Sequence, residues 1–107
     1  MTEPLPLLTF TSAKVAKVLL SVPDAEQYGV QIYQAARIAP GTVYPMLEGW
    51  KYRGWVSDRL ETSHEARERG AKGPPRRYWK ITAKGKTELA NYVRRWEAHE
   101  KGSRVAR

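Results

Sequence analysis

The sequence predicts a small α+β domain that is mainly helical, and three observations carry the prediction. Val43, Met46, Leu47 and Trp50 recur at i, i+3, i+4 and i+7, which makes one apolar stripe on a short helix, with Thr42, Tyr44, Glu48 and Lys51 on the polar side. Only Arg37-Ile38-Ala39-Pro40 separates that helix from the one before it, and two helices joined so tightly, the second with a polar face, suggest a helix-turn-helix. Two strand-like segments, residues 55–61 and 76–81, are joined by a long charged connection containing Gly70, Gly73, Pro74 and Pro75. At 107 residues the chain suffices for one domain with a modest core. It divides into an N-terminal arm (1–8), a three-helix unit with a two-stranded wing (9–82), a C-terminal helix (83–99) and a basic flexible tail (100–107).

Pro4 and Pro6 oppose helix in the arm, where Leu5, Leu7 and Leu8 either form a loose terminus or pack on a second subunit. Thr11 or Ser12 caps a first helix with Val15, Val18 and Leu19 on its inner side and Lys14 and Lys17 in water; Pro23-Asp24 ends it. A second helix runs from about Glu26 to Arg37 with Tyr28, Ile32 and Ala35 or Ala36 inward, and Gly29 within it permits close packing. In the third helix Pro40 suits a first turn. Pro45 lies deeper, so either the helix starts later, near Gly41 or Thr42, or it bends there. Gly54 ends this helix after Lys51-Tyr52-Arg53. The first strand places Val56 and Leu60 on one face, the polar run 62–75 cannot form a core, and the second strand alternates Trp79 and Ile81 against Tyr78 and Lys80. Thr82 caps the last helix, Ala83 to about His99, where Leu89, Tyr92, Val93 and Trp96 repeat at i, i+3, i+4 and i+7.

Charge is distributed unevenly. Residues 1–61 hold 6 Lys/Arg and 6 Asp/Glu, whereas residues 62–107 hold 13 and 5, so the whole net charge of +8 lies in the second half. That predicts a basic face for a polyanion, and nucleic acid rather than membrane, since no strongly apolar amphipathic face accompanies the charge. The absence of cysteine excludes disulfides and thiolate metal sites. The first residues lack the basic start and apolar run of a signal peptide or a membrane span, so a cytoplasmic location is expected. An enzyme is not expected. His64 stands in the wing and His99 near the end, Asp58 and Glu61 fall on opposite faces of a strand, and Ser12 and Ser21 have no partner. No clustered ligands suggest a metal, and no cofactor is expected.

Tyr28-Gly29-Val30, Gly41-Thr42-Val43-Tyr44-Pro45, Gly54-Trp55-Val56 and the block Gly73-Pro74-Pro75-Arg76-Arg77-Tyr78-Trp79-Lys80-Ile81-Thr82 occur in that order. With these spacings, from about Thr9 to about Trp96, the chain resembles the PadR family of winged-helix transcriptional regulators. Ala39-Pro40 stand where the family commonly has a Ser-like cap, and the chain resembles the short members without a large C-terminal domain. The resemblance implies a winged helix-turn-helix, double-stranded DNA as partner, and a homodimer formed through the last helix, often with the N-terminal segment. The family's Gly-Thr-Val-Tyr-Pro positions sit at the DNA.

Candidate DNA-binding residues follow. Gly41, Thr42, Tyr44 and Pro45 lie near a helix N-terminus, where backbone N–H groups and the dipole favour a phosphate; the alternative makes Thr42 a cap and Tyr44 a packing residue. Lys51 stands further along the same helix. In the wing, Arg67, Arg69, Lys72, Arg76 and Arg77 flank glycines and prolines and could neutralise phosphates or enter a minor groove. For Arg67 and Arg69 a solvated loop explains the charge equally well. Leu7, Leu8, Leu89, Tyr92, Val93 and Trp96 are the candidate dimer residues. In short members of the family the dimer cavity can take planar aromatic or phenolic effectors against a tryptophan of the C-terminal helix. Trp96 occupies that place, with dimer packing as its first expectation.

The reading favoured is a sequence-specific repressor on a pseudo-palindromic operator. The competing reading is a winged-helix protein–protein module whose basic half docks an acidic partner. RNA binding lacks the sheet-borne aromatic pairs that stack on single strands.

Overall fold

The computed structural model describes residues 9–105, with side chains through Glu100; the arm with Leu7 and Leu8, and tail residues 106–107, lie outside the described residues. The elements are α1 (Phe10–Ser21), β1 (Gln27–Tyr28), α2 (Gly29–Ala36), α3 (Pro40–Tyr52), β2 (Val56–Leu60), α4 (Ser63–Glu68), β3 (Arg77–Ile81) and α5 (Ala83–Val105). This is a winged helix-turn-helix. Helices α2 and α3 form the helix pair, and the β2–β3 hairpin of a small antiparallel sheet forms the wing.

The first helix starts earlier than its sequence suggests. Thr9, extended at φ −129°, accepts the Ser12 N–H at 3.0 Å, and the Ser12 hydroxyl accepts the Thr9 N–H at 3.2 Å. Thr9 and Ser12 are thus a reciprocal capping box, and neither Thr11 nor Ser12 is the cap. The second helix is shorter than expected, because Gln27 and Tyr28 are extended and pair with Trp79 and Tyr78. The sheet therefore has three strands in the order β1-β3-β2, not two. A two-residue strand has no periodicity to detect, so the helical pattern masks it. Ile32 and Ala36 face the core and Ala35 is exposed.

The turn between α2 and α3 is built by Arg37, which adopts the left-handed conformation at φ 59°. Its N–H reaches the Gln34 carbonyl and the Ile38 N–H reaches that of Tyr33, both at 3.2 Å, which satisfies the end of α2. Ala39 then starts α3: its carbonyl accepts from Thr42 at 3.0 Å and from Val43 at 3.1 Å, and Pro40 occupies the first turn. The later start does not occur. The helix continues through Pro45, which cannot donate to the Gly41 carbonyl; both residues are exposed, so water can serve that group. Gly54, at φ 78°, ends α3 with paired bonds of 2.9 Å, Gly54 N–H to Lys51 O and Trp55 N–H to Trp50 O, and the two indoles pack 6.4 Å apart.

The hairpin runs from the buried Val56–Ile81 pair to Leu60 opposite Arg77, where both residues are exposed. Leu60 is 56% exposed, so it does not share a buried face with Val56; alternation decides burial only where a second layer covers the sheet. The polar connection is not all loop. Thr62 accepts the Glu65 N–H at 3.1 Å while Glu65 accepts the Thr62 N–H at 2.9 Å, and this capping box starts α4. Thr82 caps α5 as its sequence suggests, accepting the Gly85 N–H at 2.9 Å and donating to the Gly54 carbonyl at 2.6 Å. A side chain on Gly85 would overlap the Trp55 carbonyl, so a glycine lets α5 start directly against the turn into β2. The helix then runs past His99 to Val105, into the stretch expected to be flexible tail; a single glycine, Gly102, costs a helix about 1 kcal/mol and does not end it.

Val15, Ala16 and Leu19 of α1, Ile32 of α2, Val43, Leu47 and Trp50 of α3, and Trp55, Val56, Trp79 and Ile81 around the sheet form one core that Leu89 closes. Each large side chain buried here contributes roughly 1.5–3 kcal/mol. Tyr92, expected to lie uncovered towards the free end of α5, is only 1% exposed: α1 covers it, and its hydroxyl meets that of Ser12. Leu89 and Tyr92 are therefore filled positions of the single chain and not contacts for a second one. Val93 is partly buried against the same core.

Candidate nucleic-acid interface

Val43, Leu47 and Trp50 turn one side of α3 inward, and this fixes what the other side presents. Gly41, Pro45, Glu48 and Tyr52 follow at i, i+4, i+7 and i+11, along the line opposite the core. Thr42 flanks that line on one side. It is exposed, it is not the cap of α3, and its hydroxyl makes no hydrogen bond among the described residues. A side chain on Gly41 would meet nothing within 4 Å, so packing inside the chain does not require glycine there. Open space outside Gly41 leaves the backbone approachable.

Tyr44 and Lys51 flank the outward line on the other side, towards the wing. Tyr44 combines the two roles the sequence left open. It is 37% exposed, yet its ring meets Tyr33 edge-on at 6.2 Å and its phenol end lies on Gly29, where any side chain would overlap it. Burial raises the Tyr44 pKa above its ordinary value by disfavouring the phenolate. Glycine at the start of α2 is what allows the phenol to lie so close. Together with Tyr28, Gly29, Val30, Glu48, Pro74, Pro75, Arg76 and Arg77, Tyr44 lines an open cleft of about 470 Å³ between α3 and the wing.

The wing's cations are engaged in different ways. Arg77 donates to Glu48 at 2.7 Å and approaches Asp58 at 3.5 Å, while Lys51 pairs with the other Asp58 oxygen at 2.9 Å. Lys51, Asp58, Arg77 and Glu48 thus form a chain of alternating charge joining α3 to both wing strands. The Arg76 guanidinium stacks 4.0 Å over the Tyr28 ring, which holds it at the cleft. Arg67 and Lys72 are exposed and form no ion pair among the described residues. Arg69 is different: both its contacts, at 2.7 Å, go to the Glu61 carboxylate, whose side chain is fully buried. Arg69 thus helps hold the wing together, a role that neither of the two readings left open for it, DNA contact or a solvated loop, included. Arg59 has a similar task, bridging Glu26 and Glu65 and lying over Tyr78. Periodicity placed Glu48 on the polar side of α3, but the pairings of Arg77 with Glu48 and Asp58 were not legible from sequence, since they cross between elements distant along the chain.

At the opposite end, Trp96 of α5 is partly exposed and packs against Phe10, with ring centres 6.2 Å apart, and against His99 at the same spacing. Phe10 is 57% exposed and Lys14 lies over its ring. This aromatic patch, not Leu89 or Tyr92, is what α1 and α5 leave uncovered. No helix among the described residues is long and apolar enough to cross a membrane.

The family model described as Transcriptional regulator PadR-like family matches residues 18–91. Among solved structures, the chain is similar to a PadR family transcription regulator from Clostridium difficile R20291 at 17% identity and a TM-score of 0.67, covering 92% of this chain and 100% of that one. A PadR-like transcriptional regulator from Bacillus cereus strain ATCC 14579 gives 19% identity and a TM-score of 0.63 over 89% of this chain and 88% of that one. The protein smu.1704 from Streptococcus mutans UA159 gives 21% and 0.62, over 94% and 87%. At these identities the structures share the fold. No curated protein matches the sequence.

Proposed function

The chain belongs to the PadR-like family of transcriptional regulators, and on that premise we propose that it is a homodimeric repressor binding double-stranded DNA at a pseudo-palindromic operator. One observation carries the reading: Tyr44 and Glu48 of α3 and the Arg76–Arg77 entry into β3 border the same cleft. A helix seated in a major groove by its Gly41–Tyr52 side then has cationic groups beside it for the flanking phosphates. Two-fold symmetry sets the half-sites roughly 10 bp or a multiple apart. Dimerisation is supported by the Phe10–Trp96 patch, which a second copy's α5 can cover. The same patch is where a planar aromatic or phenolic effector would meet Trp96.

Fluorescence anisotropy with genomic fragments and a random duplex, across a salt series, tests the reading. Expected are tighter binding to a subset of genomic fragments and steep weakening with salt. Failure to bind any duplex at low salt overturns it and favours the acidic protein partner instead.

A further inference from the structure

We propose that Glu48 is a specificity-determining residue that accepts a hydrogen bond from the amino group of a cytosine in the major groove. The inference rests on the DNA-binding reading above and goes beyond it, to one base. Its starting point is how little the outward face of α3 offers for reading bases. Along the line opposite the core stand Gly41, Pro45, Glu48 and Tyr52, with Gly49 beside them. Two glycines and a proline carry no hydrogen-bonding side chain. Tyr52, 78% exposed, lies in the last turn. No arginine, lysine, asparagine or glutamine occupies this line, so the usual partners of guanine and adenine are missing from it. The charged group at its centre is a carboxylate.

A carboxylate in this place repels phosphate, and its base preference is narrow. Guanine shows only acceptors in the major groove and thymine an acceptor and a methyl group. Adenine sets the acceptor N7 beside its amino group, whereas cytosine presents the amino donor alone. Glu48 therefore discriminates for cytosine and against the other three bases.

The carboxylate is also held in place. Arg77 donates to its Oε1 at 2.7 Å from the wing, and Asp58, 3.5 Å from Arg77, steadies that guanidinium from β2. Glu48 Oε2 makes no hydrogen bond among the described residues, and half of the side chain's surface is exposed. One oxygen is thus engaged and the other is open towards the groove. Arg77 in this arrangement is a positioning residue for Glu48.

Parallel binding-site selections with the wild-type protein and Glu48→Gln test the proposal, with Glu48→Ala as a second variant and thermal melts to check folding. The wild type is expected to select cytosine at one position in each half-site. Both variants are expected to lose that preference by roughly 10-fold at that position alone, and to bind random duplex more tightly. Variants that select the wild-type motif unchanged overturn the proposal and leave the DNA-binding reading standing. A rise in affinity that is equal for all sequences also overturns it, because Glu48 would then act only through its charge. A wild-type protein that binds no duplex overturns both.

Discussion

Glu61 and Arg69 face each other through two contacts of 2.7 Å, and the Arg76 N–H adds a third bond to the same carboxylate at 3.3 Å. The acidic side chain is buried while the basic one remains partly in water. The Glu61 N–H also donates to the Arg76 carbonyl at 2.7 Å, so one glutamate ties the end of β2 to the start of β3 and to the residue after α4. Removing Arg69 leaves a buried carboxylate with one weak donor. Arg69→Ala is therefore expected to lower the thermal midpoint clearly, whereas Arg67→Ala leaves it nearly unchanged. Melting curves of the two variants compare them directly.

The same contacts make the wing acid-sensitive. Hydrogen bonds from Arg69 hold the Glu61 pKa at about 2, and those from Arg59 hold Glu65 at about 2, against an ordinary 4.5. Both folded-state values lie below the unfolded one, so the stability they contribute is present above pH 4.5 and is lost as pH falls towards 2. Denaturant melts from neutral pH down to about pH 2 are expected to show that decline, and Glu65→Gln to reduce its size.

Gly29 and Tyr44 are expected to be energetically coupled. Gly29→Ala places a methyl group where the phenol lies and displaces the ring into the cleft, at a cost of about 1–3 kcal/mol. In a Tyr44→Ala background the same change meets little resistance. A double-mutant cycle by urea denaturation is expected to give a coupling of about 1 kcal/mol or more, with the two changes together costing less than their sum. Tyr44→Phe and Thr42→Ala are expected to weaken operator binding without lowering the melting temperature.

Salt dependence separates the arginines. Arg76→Ala with Arg77→Ala is expected to weaken binding to every duplex and to reduce the salt slope by about 1 per lost phosphate contact. Arg69→Ala, studied where it remains folded, leaves the slope unchanged. Anisotropy titrations across a salt series measure both; a slope untouched by the double variant removes the wing from the interface.

The aromatic patch predicts oligomeric behaviour. Trp96→Ala and Phe10→Ala are expected to shift a dimer towards monomer in sedimentation velocity, because they remove the uncovered apolar surface of α1 and α5. Leu89→Ala is expected instead to destabilise the fold by about 2–5 kcal/mol, since Leu89 fills the core.

Much of the fold is local and so could be read along the chain. Val43, Leu47 and Trp50 set the inner side of α3 through helical periodicity, Gly54 ends it through a positive φ, and Thr82 starts α5 with a hydroxyl. The capping box that begins α4 was equally visible as Thr62 followed by Glu65, although the charged run around it suggested only a loop. Tertiary structure decided what depends on partners far apart in the chain. β1 exists because Tyr28 finds Tyr78, Tyr92 is buried because α1 lies across it, and Arg69 is occupied because it pairs with the buried Glu61 carboxylate. The same holds for Glu48 and Arg77, 29 residues apart, whose pairing no period or motif encodes. Sequence thus determined the helices, the turns and the basic surplus through interactions within a few residues. Which cations are spent on the fold and which face outward was settled only when distant carboxylates came within about 4 Å, where charges interact strongly.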